Sequence, residues 1–236
     1  MNPHGVHVPT DRALVECEGC VVPRVLIVPG LRGSGPEHWQ SWLQRRYRRS
    51  VRARIGDLNR PDLQAWSDDV GRTLAEEAPG PWVAVTHSFG GLALLHHLLN
   101  RPLPQPSPRE STPALRAEIV AALVVAPASP RRHGAEAVLA QRPSGVDLWV
   151  VSSSDDPWLP THLALPWAAC WGARLHDLGP AGHINVDSGF GRWPQGQAML
   201  QKLLQRWHAQ RAAPPHENGA FTLRASPRPA GHLAGI

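Results

Sequence analysis

The chain has 236 residues, 42% of them hydrophobic and 18% charged, which is enough for one globular domain with a sizeable core and too few for two full domains. That apolar share excludes wholesale disorder, and 25 prolines and 21 glycines without a fixed period exclude collagen-like and solenoid architectures. The formal charge of +5 is spread along the chain as arginine, with one lysine, Lys202, among 24 basic residues, so no nucleic-acid partner is expected from it.

Residues 1–22 carry no sustained periodicity and are expected to form a loosely attached extension. The first residues lack the basic, apolar and small-residue segments of a secretory signal, so a cytoplasmic location is expected. Three cysteines cannot make a disulfide framework, and the Cys17-x-x-Cys20 pair has no second pair at ligand spacing, so no metal, cofactor or redox centre is expected. Order begins at Arg24. Val25, Leu26, Ile27 and Val28 form a short β-branched run ended by Pro29-Gly30, the pattern of a strand buried on both faces. Pro36 suits a first helical turn after Ser34 or Gly35, which places a helix over 36–48. The arginines at 45, 46, 48, 49, 52 and 54 run from that helix into a second short strand at 51–55. They read as a solvated helix end favoured by the macrodipole, with phosphate binding as the weaker alternative. A helix opened by Pro61 follows, with Leu63, Trp66, Val70 and Leu74 recurring at helical spacing.

Further on, residues 82–86 give another buried strand that runs into His87-Ser88-Phe89-Gly90-Gly91 and an apolar helix over 92–99. Residues 100–114, rich in Pro and Ser, read as a surface insertion. Strands are predicted at 119–125, 147–152 and 174–178, and helices near 161–171 and over 194–211. The tail 212–236 lacks apolar periodicity and is expected to be disordered, which leaves 23–211 as the folded domain. The longest apolar run, 119–126, is far shorter than the roughly 20 residues that span a bilayer; no membrane partner is expected. Buried strands alternating with helices imply a mostly parallel sheet of about six strands covered on both faces, with the chemistry beyond the strands' carboxyl ends.

The most informative of those strand ends holds Ser88. A serine on a strained strand-to-helix turn exposes its hydroxyl, and small neighbours keep the turn from clashing. Thr86 departs from the usual glycine two residues before such a serine. A bland alternative is that Ser88 merely caps the following helix. As a nucleophile it needs a histidine oriented by a carboxylate, in the chain order serine, acid, histidine. Asp155 and Asp156 end the strand at 147–152, and Asp156 is preferred because Pro157 fixes the backbone just after it; Asp155 stays open, as does simple helix capping by both. Among the later histidines, His183 alone lies in a strand-ending loop of small residues, Gly-Pro-Ala-Gly-His, and is assigned as general base. His87 is expected to point away from the base position. Oxyanion donors are expected from the Phe89 N–H and, in the loop after the first strand, from Leu31. That loop has neither the ending of a P-loop nor the spacing of a dinucleotide fingerprint.

The segments VLIVPGLRGSGPEHWQSWLQ at 25–44, VTHSFGG at 85–91, SSSDDPWLP at 152–160 and GHINVDSGFGRWPQG at 182–196 resemble the small serine-hydrolase family of retinoblastoma-binding protein 9 and its bacterial relatives, within the α/β-hydrolases. The resemblance covers most of 24–211, and its Gly-Pro-x-His-Trp-Gln and Gly-His-Ile-Asn-x-Asp-Ser-Gly runs are its most specific parts. It implies a minimal, lidless three-layer α/β-hydrolase with the nucleophile at Ser88, the acid at Asp156 and the base at His183. Only about twenty residues separate the strands at 119–125 and 147–152, so an open site is expected, walled by Trp158 and Trp193. The expected activity is cofactor-free hydrolysis of small carboxylic esters through an acyl-enzyme. The alternatives are amide or peptide hydrolysis by the same residues, or a hydrolase-fold module that binds a protein partner.

Overall fold

The computed structural model of the chain describes residues 21–100, 116–139 and 142–212. The Cys17-x-x-Cys20 pair and, but for their junctions with the domain, the expected extension, insertion and tail lie outside the described residues.

Six strands form one all-parallel sheet: β1 (Arg24–Val28), β2 (Ser50–Arg52), β3 (Gly80–His87), β4 (Ala117–Val125), β5 (Asp147–Ser152) and β6 (Arg174–Asp177), in the spatial order β2-β1-β3-β4-β5-β6. The order reverses between β1 and β3, so their loops open side by side and leave the crevice in which doubly wound sheets bind ligands. The connecting helices are α1 (Trp39–Arg46), α2 (Leu63–Ala75), α3 (Phe89–Asn100), the short α4 (Glu136–Leu139), α5 (Thr161–Cys170) and α6 (Pro194–Ala212).

Alternation along each strand divides the core in two. Val25, Ile27, Val83, Val85, Leu123 and Val125 face α1 and α6, where Trp39, Leu43, Trp193, Leu200, Leu203 and Leu204 cover them. Leu26, Val28, Ala84, Ala122, Val124 and Val150 face the other layer, closed by Trp66, Val70, Phe89, Leu92, Leu95 and Trp171. The central strands β1, β3 and β4 are buried through most of their length, which is why they read as continuous apolar runs.

The predicted helix over 36–48 is shorter than expected at its start. Neither Ser34 nor Gly35 caps it; α1 begins at Trp39, and His38 is its N-cap, with Nδ1 accepting the Gln40 N–H at 3.2 Å. Ser34 is instead bonded to the Gln40 side chain, whose amide also donates to Val28 and Val85 carbonyls. The basic run after α1 is not simply a solvated helix end. Arg52 spends its guanidinium on the Ser34 carbonyl, Ser41 Oγ and Gln44 Oε1, and Arg54 pairs with Glu76 and Glu77. Helix α2 starts at Leu63, later than Pro61, because the Asp62 carboxylate caps it through the Ala65 N–H. Helix α3 starts at Phe89, directly after the serine and three residues earlier than predicted.

Candidate active site

Between β3 and α3 the chain turns through Ser88, whose φ of +53° lies in the left-handed region. The turn is held by the Ser88 N–H to the Val125 carbonyl at 3.1 Å and the Gly91 N–H to the Ser88 carbonyl at 2.9 Å. Two glycines make it sterically feasible. A Cβ on Gly90 would sit 2.2 Å from the Pro29 carbonyl oxygen, and one on Gly91 would meet Val124 at 2.9 Å and Thr86 Oγ1 at 3.2 Å. The bulk that Thr86 adds is thus accommodated at Gly91. Four non-glycine residues with positive φ occur among the described residues, Arg32, Ser88, Ala126 and Ile184, and all lie in loops at the carboxyl edge of the sheet. Strained backbone of this kind concentrates at functional sites.

His183 Nε2 lies 2.9 Å from Ser88 Oγ, and its Nδ1 lies 2.9 Å from Asp156 Oδ2 and 3.1 Å from Oδ1. A carboxylate only accepts, so Nδ1 carries the hydrogen and Nε2 presents a lone pair to the serine hydroxyl. Asp156 is 2% exposed and His183 9%, which keeps water from competing for this series of bonds. Asp156 Oδ1 also accepts the Trp158 N–H at 2.9 Å, anchoring the carboxylate to its own loop.

Asp155, the alternative acid, does something else. Its Oδ1 accepts the Ala181 and Gly182 N–H groups, each at 2.8 Å, and the Ser153 hydroxyl at 2.6 Å. These bonds, Ser153 first and Gly182 next, hold its carboxyl below the ordinary range. It clasps the loop that carries His183 without touching the imidazole. Other groups secure the same loop: the His183 N–H donates to Ser188 Oγ, His87 Nε2 meets the His183 carbonyl at 2.9 Å, and the Trp39 indole donates to the Ile184 carbonyl at 2.8 Å. His87 does not occupy the base position; its ring borders the cavity and meets the backbone of the base loop.

Of the expected oxyanion donors, Phe89 directly follows Ser88 and Leu31 lies in the loop after β1. As the first residue of α3, Phe89 has a backbone N–H without an intrahelical acceptor. Leu31 borders the cavity beside Ser88, and its N–H has no backbone partner among the described residues. Gly30 brings the loop after β1 this close, since a Cβ there would lie 3.1 Å from both Ser88 Cβ and His87 Nδ1.

A cavity of about 470 Å³ opens over Ser88 and His183. Trp158, 51% exposed, forms one wall, 6.3 Å from the His183 ring centroid to centroid. Trp193 does not, and its expected place in the wall is corrected here. It is 4% exposed and packs edge-on against Trp39 in the core, because Gly196 leaves α6 without a side chain where the indole lies. Further lining residues that the sequence did not single out are Ala128, Ser129, Arg132 and His133, from the segment between β4 and β5. Arg132 lies over the Trp158 ring at 5.3 Å. Nothing in the spacing of this segment signals that role, because it depends on a tertiary contact. Among the described residues no group of three or more His, Cys, Asp or Glu could hold a metal ion, and no helix is long and apolar enough to cross a membrane.

Comparison with known proteins places residues 25–202 within the sequence profile of a family described as serine hydrolase. A YdeN-like hydrolase from Pectobacterium atrosepticum has a similar solved structure, 31% identical, with a TM-score of 0.67 over 78% of this chain and 92% of that one. The ydeN gene product of B. subtilis is 21% identical, with a TM-score of 0.59 over 78% of this chain and all of its own. Mouse alpha/beta hydrolase domain-containing protein 10, 14% identical with a TM-score of 0.56 over 78% and 90%, shares the fold. No curated protein sequence matches the chain.

Proposed function

Because the chain belongs to the serine hydrolase family and has the α/β-hydrolase fold, we propose that Ser88, His183 and Asp156 hydrolyse small carboxylic esters through an acyl-enzyme. The observation that carries this reading is the unbroken series of hydrogen bonds from Ser88 Oγ through the imidazole to Asp156. As Oγ attacks the ester carbonyl carbon, its proton passes to His183 Nε2, and the buried Asp156 carboxylate stabilises the imidazolium that forms. The negative charge developing on the carbonyl oxygen is met by the N–H groups of Phe89 and Leu31. Collapse of the tetrahedral adduct breaks the bond to the alcohol, which leaves with the proton from Nε2. Water then enters, loses a proton to Nε2 and attacks the acyl carbon; the carboxylic acid departs and the proton returns to Ser88 Oγ.

The size of the cavity supports the substrate class. A cavity of about 470 Å³ accommodates a small ester, and Trp158 and Leu31 supply apolar surface to its lining. The molecules handled in this way are small, and no cofactor enters the scheme. Hydrolysis of p-nitrophenyl acetate tests the reading: the wild-type chain is expected to turn it over and Ser88→Ala to lose that turnover with an unchanged melting temperature. Equal turnover by the Ser88→Ala variant would overturn the assignment.

A further inference from the structure

We propose that His87, backed by His38, is a positioning residue that holds the base toward the nucleophile through both halves of the acyl-transfer cycle, an inference that rests on the serine hydrolase reading above. The two histidines belong to an unbroken row of rings. The His38 and His87 centroids are 4.8 Å apart, and so are those of His87 and His183.

Hydrogen-bond chemistry fixes the tautomer of each outer ring. The His183 carbonyl oxygen only accepts, so His87 Nε2, at 2.9 Å, carries the hydrogen and donates it. The Gln40 N–H only donates, so His38 Nδ1 is the acceptor that caps α1, and the hydrogen of His38 resides on Nε2. His38 Nε2 is buried with no hydrogen-bond partner among the described residues, and the ring borders the cavity over Ser88. The ring stands between the start of α1, which it caps, and His87, against which it packs edge-on.

Both rings also stay uncharged. They are 6% and 5% exposed, and burial, followed by Arg52 and His183, lowers His38 to about 4. Burial, followed by His183 and His38, places His87 well below the ordinary imidazole range. A charged ring at the distance of His87 would repel the imidazolium that His183 becomes during attack. A neutral ring donating to the backbone of that residue does not.

The connectivity distinguishes His87 from the other groups that fasten the base loop. Asp155, Ser188 and Trp39 hold residues 181, 182 and 184 or the His183 N–H. Besides Ser88 itself, His87, the residue before it, is among the described residues the one that joins His183 to the chain of the nucleophile. Acylation removes the serine hydroxyl proton and with it the hydrogen bond that aims Nε2 at the nucleophile. Neither the bonds from Nδ1 to Asp156 nor that from His87 to the His183 carbonyl involves Oγ, so both survive; the first orients the ring and the second fixes the backbone that carries it, and the base remains in place to activate water.

The test is burst and steady-state hydrolysis of p-nitrophenyl acetate by the full chain carrying His87→Phe or His87→Gln. Phe retains a ring without a donor, and Gln sets an amide N–H near the place of Nε2. His87→Phe is expected to lower kcat on the order of 10²-fold, as a misplaced base does, with KM changed by no more than about twofold and deacylation slowed more than acylation. His87→Gln is expected to recover most of that loss. Wild-type turnover by both variants, or equal losses in both, overturns the proposal. Should His87→Phe fail to fold, His87→Gln is compared with His87→Asn, whose shorter amide cannot reach; active Gln with impaired Asn supports the role, and equal activities overturn it. A wild-type chain that neither hydrolyses the ester nor reacts with a fluorophosphonate overturns the hydrolase reading itself, whereas an active wild type with insensitive variants overturns only the role of His87.

Discussion

At Ser88 the backbone accepts a left-handed conformation that costs a residue with a side chain about 1–2 kcal/mol, and in return the hydroxyl stands clear of the sheet within reach of His183. The residues that converge there differ in what their loss is expected to do. Ser88→Ala and His183→Ala are each expected to lower kcat/KM on the order of 10⁴-fold or more, and the double variant to be little worse, because the groups act as a unit. Asp156→Asn is expected to lose on the order of 10⁴-fold by presenting an amide to Nδ1. Asp155→Asn is expected to lose far less, since its remaining oxygen still accepts the Ala181 and Gly182 N–H groups. Steady-state kinetics of the two variants check this, and a larger loss at Asp155 would exchange their roles. A pH effect follows from His38. Its folded value of about 4 lies below the 6.5 of a free imidazole, so the unfolded chain binds the proton first. The stability His38 contributes is complete above about pH 6.5 and is lost as pH falls toward 4, a difference of about 3 kcal/mol. Urea midpoints are expected to fall over that interval, and less in His38→Asn, which keeps an acceptor for the cap; an equal fall in both would contradict it.

Among the elements, the junction of β3 and α3 is the least tolerant of change. Gly90→Ala would drive a Cβ into the Pro29 and Val28 carbonyls, and is expected to destabilise the fold by roughly 3 kcal/mol and to displace the Leu31 loop. Thermal unfolding with parallel turnover checks both effects, and an unaltered variant would mean the turn is looser than described. This junction was legible in the sequence because an apolar β-branched run, a serine and two glycines in succession leave few alternatives. The loops after β5 and β6 were legible for a similar reason, the first as an acidic stretch beyond a buried strand and the second as small residues leading to His183. What escaped notice depended on contacts distant in sequence. His38 reads as one more polar residue near a helix start, and only the adjacency of β1 and β3 brings its ring to His87. Trp193 reads as a plausible apolar wall; the absence of a side chain at Gly196 draws its indole into the core instead. The start of α1 was misplaced because Pro36 is a strong first-turn signal, and here the His38 cap prevailed.

At the scale of the molecule, a six-stranded sheet with its order reversing between β1 and β3 gathers four loops at one edge, and among the described residues the cavity is lined by positions between Gly30 and Asp187. Residues 213–236 lack apolar periodicity and contain none of the residues assigned to the site, so removing them is expected to leave turnover of short esters unchanged. In a series of p-nitrophenyl esters, acetate to butyrate are expected to be preferred over long acyl chains by at least about tenfold, since the short connection between β4 and β5 leaves no room for a helical cap to cover a long tail. Best turnover of long chains, lost on truncation, would show that the removed segment contributes to the site. The measurement that bears most directly on the account is reaction of the folded, full-length protein with a fluorophosphonate, followed by peptide mass mapping. An activated serine is expected to give one adduct, on Ser88, formed much more slowly in His183→Ala. Absence of an adduct from the folded wild type, or an adduct on another residue, would contradict it.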